Sequence, residues 1–261
     1  NEVGRANLRH IQRSYERNIK VPGDLASELA RTTSLAHGHW AEARANEDFA
    51  AFKPWLEKVV ALRQHEGAAL ADGGNSYDAL LQDYEPGATA ASLEAMFGAL
   101  RPRLVALRDK VMGASVQYAA LDRDFDEVAQ LALSSELAQT FGYNLAHGRI
   151  DKAVHPFSSG SGLDVRITTR TNPRDPFNCF YSTIHEVGHA AYEQNINADY
   201  LLTPLGAGVS MGVHESQSRS YENQIGRGRA FSGHLFRRMG AAFGDFGVAD
   251  DTAFYGAVNR V

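Results

Sequence analysis

A chain of 261 residues, 44% hydrophobic and 22% charged, has the composition of a globular protein with one sizeable core or two small ones. Its formal net charge of -5 supplies no positive field for gripping phosphates, which argues against nucleic acid as a partner, and no apolar run approaches the roughly 20 residues that span a bilayer, which argues against a membrane. The single cysteine, Cys179, cannot form an intrachain disulfide framework or, alone, a thiolate metal site; it reads as a small buried hydrophobe, and a reducing, cytoplasmic compartment is the default.

Helical periodicity dominates from the start. Val3, Leu8, Ile11, Tyr15 and Ile19 fall on one stripe of a first helix, which "VPGD" stops, with Asp24 as the N-cap of the next. Helices over about 24–45 and 47–70 follow, broken by "ADGGN" at 71–75 and by "EPGAT" at 85–89. Thr89 caps a long segment beginning "AASLEAMF", and Asp124 opens a helix reaching about 142. His37 and His39, two apart, diverge on their helix and read as surface or packing residues.

Between Gly148 and Asp175 the composition turns to Gly, Ser and Pro, and the one convincing strand is "DVRITT". Helical pattern then resumes. It reaches "DTAFYGAVNRV", where the chain ends inside the pattern, as it begins inside one, so the expectation is a single helical domain over 1–261 truncated at both ends. A missing C-terminal part would leave Phe254, Tyr255 and Val258 exposed or poorly ordered.

The stretch "FYSTIHEVGHAAYEQN" carries His185-Glu186-x-x-His189. On a helix, residues i and i+4 lie one above the other, so these two imidazoles can converge on one ion, and the geometry suits zinc. Glu186, turned about 100° from His185, is badly placed as a third ligand but well placed to reach water on the open side. Glu193 continues the i+4 series, yet three side chains over that span cover about 12 Å of helix axis, too much for one ion. The third ligand must come from elsewhere. Glu215, in the helical stretch 208–226 and 26 residues after His189, is the candidate; the alternative is a surface glutamate paired with Arg219.

Several ordered blocks resemble the carboxypeptidase Taq family of metal-dependent carboxypeptidases: "HPF" at 155–157, "DVRITTR" at 164–170, "HEVGHAAYEQ" at 185–194 and "TPLGAGVSMGVHESQSRSYENQIGR" at 203–227. "YEPGAT" and "SYERNIKVPGDLASELARTTS" are similar to its upstream helices, so nearly the whole chain is covered. The resemblance implies a mainly α, multi-helix zincin-type fold with a deep groove and a small β element near 163–169. It also implies a homodimer, metal binding by His185, His189 and Glu215, Glu186 as catalytic base, and His214 in the same site. Family members are considerably longer, their downstream "IRxxAD" and "GxxQDxHW" blocks are absent here, and Thr171 stands where they more often have tyrosine.

The function this implies is release of C-terminal amino acids from peptides with a free C-terminus, using one divalent ion, zinc or alternatively cobalt or manganese, with Glu186 moving the proton and His214 donating to the oxyanion. Arg166 and Arg170 are candidates for the substrate carboxylate, with salt bridges as the competing reading, and His155 for a substrate contact, with a turn cap as the competing reading. Two other readings stay open: a non-catalytic helical fragment with a structural or vestigial metal site, and a zincin-type endopeptidase or aminopeptidase.

Overall fold

The computed structural model describes residues 1–114 and 121–260, which fall into two compact units dividing at Arg101 and Pro102. Val261, the last residue of the expected terminal helix, lies outside the described residues. No helix among the described residues is long and apolar enough to cross a membrane.

The first unit is helical. α1 (Glu2–Lys20) is capped by the Asn1 side chain, α2 (Gly23–Ala45) follows Pro22, and α3 (Phe49–Ala71) is capped by Asp48. Asp24 is therefore the second residue of α2 and not its cap; its carboxylate accepts the adjacent Leu25 N–H. A short α4 (Ser76–Leu81), which carries too few residues to show a period, precedes α5 (Ala90–Met112). As the sequence predicts, Thr89 caps α5: its hydroxyl accepts the Ser92 N–H while the Ser92 hydroxyl accepts its own N–H. α2 buries Leu29, Thr32, Ala36 and Ala43. The buried Glu66 of α3 accepts hydrogen bonds from Arg17 at 2.9 Å and Arg63 at 2.6 Å. The stripe Leu8, Ile11, Tyr15 and Ile19 is real but exposed. His39 stacks on Trp55 and His37 tilts against Trp40, as packing residues do.

The second unit is organised around one helix. α6 (Glu127–Thr140) is capped by Asp126, not Asp124, because Asp124 is drawn into an ion pair with Arg174 at 2.8 Å. A three-stranded sheet follows: β1 (Ile150–Lys152), β2 (Ser158–Ser161) and β3 (Asp164–Thr169), with β3 central, parallel to β1 and antiparallel to β2. Only β3 is legible as a strand. β1 is three residues long, and β2 reads Ser-Ser-Gly-Ser, poor in β-formers, so backbone pairing with β3 decides both.

Along β3, Val165 and Ile167 point into the core while Asp164 and Arg166 point out. Its last residue is tied to the next element: Thr169 Oγ1 donates to the Cys179 carbonyl, and Thr183 Oγ1 donates to Thr169 Oγ1 at 2.9 Å. That element, α7 (Pro176–Gln194), is buried along most of its length and joins two apolar clusters. Phe180 and Ile184 sit among Leu133, Leu137, Leu235 and Met239; Val187 and Ala190 sit against Val165 and Ile167. Cys179 is fully buried against Ser134, and burial pushes its thiol pKa up, as its reading as a hydrophobe requires.

α8 (Met211–Arg219) runs into a π-helical turn (Ser220–Gly226), followed by α9 (Arg229–Phe243) and α10 (Asp251–Val258). Here the structure overturns an expectation. Phe254 is 0% and Val258 4% exposed, and Tyr255 is half-buried, because α10 packs on α9 with the Phe254 ring meeting Phe177, Phe236 and Phe246. The helix also ends before the chain does, at Asn259, whose N–H bonds back to the Gly256 and Tyr255 carbonyls.

Candidate metal centre

α7 brings His185, Glu186 and His189 to one side of the second unit, and α8 with its π turn brings His214, Glu215 and Glu222 to meet them. Gly188 sets how closely the two segments approach. A Cβ there would stand 2.5 Å from the Ser218 Cα and 3.1 Å from the Gln217 carbonyl, so the helices touch backbone to backbone between the two α7 histidines. Glu215, Arg219 and Glu222 are spaced four and three apart and share one helical face. Arg219 donates to Glu215 at 2.7 Å and to Glu222 at 3.1 Å.

One ligand atom each from His185, His189 and Glu215 lies within 4.8 Å of the others. Glu215 Oε2 is 3.5 Å from His185 Nε2 and 3.4 Å from His189 Nε2. Two ligands bound at about 2.0–2.1 Å around a tetrahedral ion stand roughly 3.3–3.4 Å apart, so two imidazoles and a carboxylate at these distances could hold a divalent cation. Glu215 pairs with Arg219 through Oε1 and faces the histidines through Oε2, so the ion pair leaves one oxygen available to a cation.

Each histidine is held from behind. His185 Nδ1 lies 3.0 Å from Glu222 Oε2, and Glu222 also accepts from Arg219 and from Arg227. Arg227 stacks over the Tyr181 ring and donates to the Val258 carbonyl. His189 Nδ1 lies 2.8 Å from His214 Nδ1, and His214 Nε2 lies 2.7 Å from Glu193 Oε1. Both ring nitrogens of His214 are thus engaged, and the oxyanion donation expected of it requires one of these bonds to open.

These partners set the charge states. The hydrogen bond to Glu222 holds the His185 imidazole pKa above its ordinary value, against the pull of burial. Burial, with His185 and His214 close by, brings His189 down to about 4. Burial lifts Glu186 to about 7, helped by the Glu215 and Glu222 charges and opposed by His185. For Glu215 burial acts the same way, yet His185, Arg219 and Ser218 outweigh it and hold that carboxyl below its ordinary value.

The centre opens on two cavities of about 550 and 430 Å³, both lined by His155, His185 and Glu186. Arg170 lines the larger one, its Nε donating to Asn178 at 2.7 Å. Arg166 lines neither: it forms a two-pronged pair with Asp164 on the exposed face of β3, because strand alternation turns it away from α7. Glu222 and Glu193 are site residues without an assigned role in the sequence reading. The signal that finds them is the second nitrogen of each candidate ligand histidine, which needs an acceptor or a relay to one.

The family model described as carboxypeptidase Taq (M32) metallopeptidase matches residues 1–261. Thermostable carboxypeptidase 1 of Thermus thermophilus is 40% identical over 268 aligned positions, covering 98% of this chain and 52% of that protein. Carboxypeptidase 1 of Bacillus subtilis is 35% identical, with 95% and 50% covered. Among solved structures, BsuCP superposes with a TM-score of 0.91 at 34% identity, over 95% of this chain and 51% of that one. Apo-Mg carboxypeptidase of Pyrococcus furiosus gives 0.86 at 33% identity, over 99% and 53%. The chain spans about half the length of the curated relatives it matches.

Proposed function

The chain belongs to the carboxypeptidase Taq (M32) metallopeptidase family, and from that premise we propose that it carries the metal centre of a carboxypeptidase that releases C-terminal amino acids from peptides. The observation that carries this reading is the convergence of His185, His189 and Glu215 beside the buried Glu186.

His185, His189 and Glu215 would hold one divalent cation; their two nitrogens and one oxygen suit zinc, with cobalt and manganese as alternatives. Such a cation, when bound, polarises a peptide carbonyl and acidifies water at the site. Glu186 is the general base. Its buried carboxylate accepts a proton from the attacking water and returns it to the leaving amine. Glu222 and the two arginines behind it keep His185 oriented, and His214 belongs to the same site.

The peptide would lie in the larger cavity, with His155 and Arg170 on its wall. A guanidinium there can pair with a terminal carboxylate, which gives a free C-terminus its advantage. Action as a homodimer in the cytoplasm is part of the same reading.

The experiment pairs metal content by mass spectrometry with hydrolysis of an N-blocked peptide and its C-terminally amidated twin. The reading expects one divalent ion per chain and stepwise trimming of the free acid alone. Equal cleavage of both peptides would make the protein an endopeptidase.

A further inference from the structure

The two candidate histidine ligands are backed differently. Behind His185 stands a carboxylate in direct contact, whereas behind His189 a second histidine is inserted before any carboxylate is reached. We propose that His214 and Glu193 form a relay that fixes the tautomer and ring orientation of His189, which makes His214 a positioning residue and not a donor to the substrate. The inference rests on the metal-centre reading above and deepens it.

The hydrogen count leaves one arrangement that serves the site. At 2.8 Å between two Nδ1 atoms, one must carry the proton and the other accept it. If His189 donates, its Nε2 lone pair faces Glu215, as a ligand requires, and His214 keeps a proton on Nε2 to donate to Glu193 at 2.7 Å. If a singly protonated His214 donates instead, its bare Nε2 faces an ionised carboxylate, and His189 carries its proton on the nitrogen that should bind the ion. Doubly protonating His214 repairs the first fault and leaves the second. The first arrangement satisfies both bonds of His214 and leaves Nε2 of His189 free for an ion.

A second observation supports a built relay. In the loop before α8, a Cβ on Gly208 would stand 2.6 Å from His214 Cδ2 and 3.0 Å from Glu193 Oε1. The backbone lies directly against the bonded pair and shields it. Tyr192 closes another side, with its ring edge-on to His214 at 4.8 Å and its hydroxyl accepting the Val209 N–H. His214 is therefore clasped on its faces as well as bonded at both nitrogens, a surrounding that suits a fixed orienting group better than one that swings to a substrate.

The test measures cobalt(II) binding by competition with a chelator, the visible absorption spectrum of the cobalt form, and kcat and KM separately, in the purified protein and in six variants. Glu193→Ala and His214→Ala should each weaken cobalt affinity about 10–100-fold and alter the spectrum. The double variant should lose no more than the worse single one, because the relay works as a unit. His214→Asn, whose amide oxygen can accept from His189 near the Nδ1 position, and Glu193→Gln, which can still accept from His214, should recover most of the affinity. Gly208→Ala should reproduce part of the loss, and thermal melting of the metal-free forms controls for folding.

If His214→Ala keeps normal cobalt affinity and spectrum and loses only kcat, His214 is a direct donor and the relay is wrong. Additive losses in the double variant, or no recovery in either conservative variant, also overturn it. Absence of cobalt binding in the unsubstituted protein overturns the metal-centre reading itself, and the relay with it.

Discussion

Of the three His-Glu dipeptides in the chain, at 65–66 on α3, 185–186 on α7 and 214–215 on α8, the last two meet at one centre with their parts exchanged. On α7 the histidine faces the ligand cluster and the glutamate is buried, with its carboxyl lifted to about 7. On α8 the glutamate faces the cluster, held below its ordinary pKa, and the histidine stands behind. Identical residues acquire unlike chemistry because α7 runs through the core while α8 buries only Ser218 and places Arg219 one turn beyond its glutamate. On the proposed reading, environment is what makes one glutamate the base and the other a ligand.

Removing the charge at each glutamate is the severest way to break this contrast. Glu186→Gln should retain the metal and lose several orders of magnitude in peptide hydrolysis, since the amide keeps the shape and cannot take the proton. Glu215→Ala should empty the site. Metal content by mass spectrometry beside a peptide assay checks both, and metal loss in Glu186→Gln would mean that a ligand had been mistaken for a base.

The distance between the two helices comes next. Gly188→Ala drives a Cβ against the Ser218 backbone, so it should weaken metal binding at least about tenfold and cost about 1–3 kcal/mol in a chemical denaturation experiment. Unchanged affinity would show that Glu215 reaches the histidines without the tight crossing.

Glu66 sharpens the comparison from the first unit. It is as buried as Glu186, at 4% against 7% exposed, and burial pushes its carboxyl up, yet the hydrogen bonds from Arg17 and Arg63 outweigh burial and leave it below its ordinary value. A carboxyl with a depressed folded pKa adds stability above its unfolded pKa, near 4.5, and this is lost as pH falls through the folded value. Glu66→Gln should therefore destabilise by on the order of 2 kcal/mol at pH 7 and lose that effect progressively under acid, as thermal melts across pH would record. A pH-independent penalty would mean that packing, not charge, is what Glu66 contributes.

The smallest effect belongs to Arg166→Ala. Its pair with Asp164 is exposed, so stability should move by less than about 0.5 kcal/mol, with metal content and KM unchanged. A raised KM would return Arg166 to the substrate site.

How far the sequence carries this picture depends on whether a signal is local. His185, Glu186 and His189 lie within one helical turn and Thr89 beside its helix, so period and capping chemistry suffice for them. Glu215 needed only the inference that a second segment must supply a ligand. Glu193 shows the limit: helix geometry argues against it as a ligand, but nothing local says that a histidine 21 residues later will claim it. β1 and β2 are decided by a partner strand, and Asp124 lost its capping role to Arg174, 50 residues away. The burial of Phe254 is equally nonlocal, resting on aromatic partners from α7, α9 and the loop before α10.

The hydrogen at position 188 where other residues carry a methyl group acts as a ruler. Anyone transplanting this centre to another helical scaffold would have to copy a crossing tight enough for two backbones to touch before choosing a single ligand. A library that varied the ligands on helices spaced by ordinary side chains would start too wide.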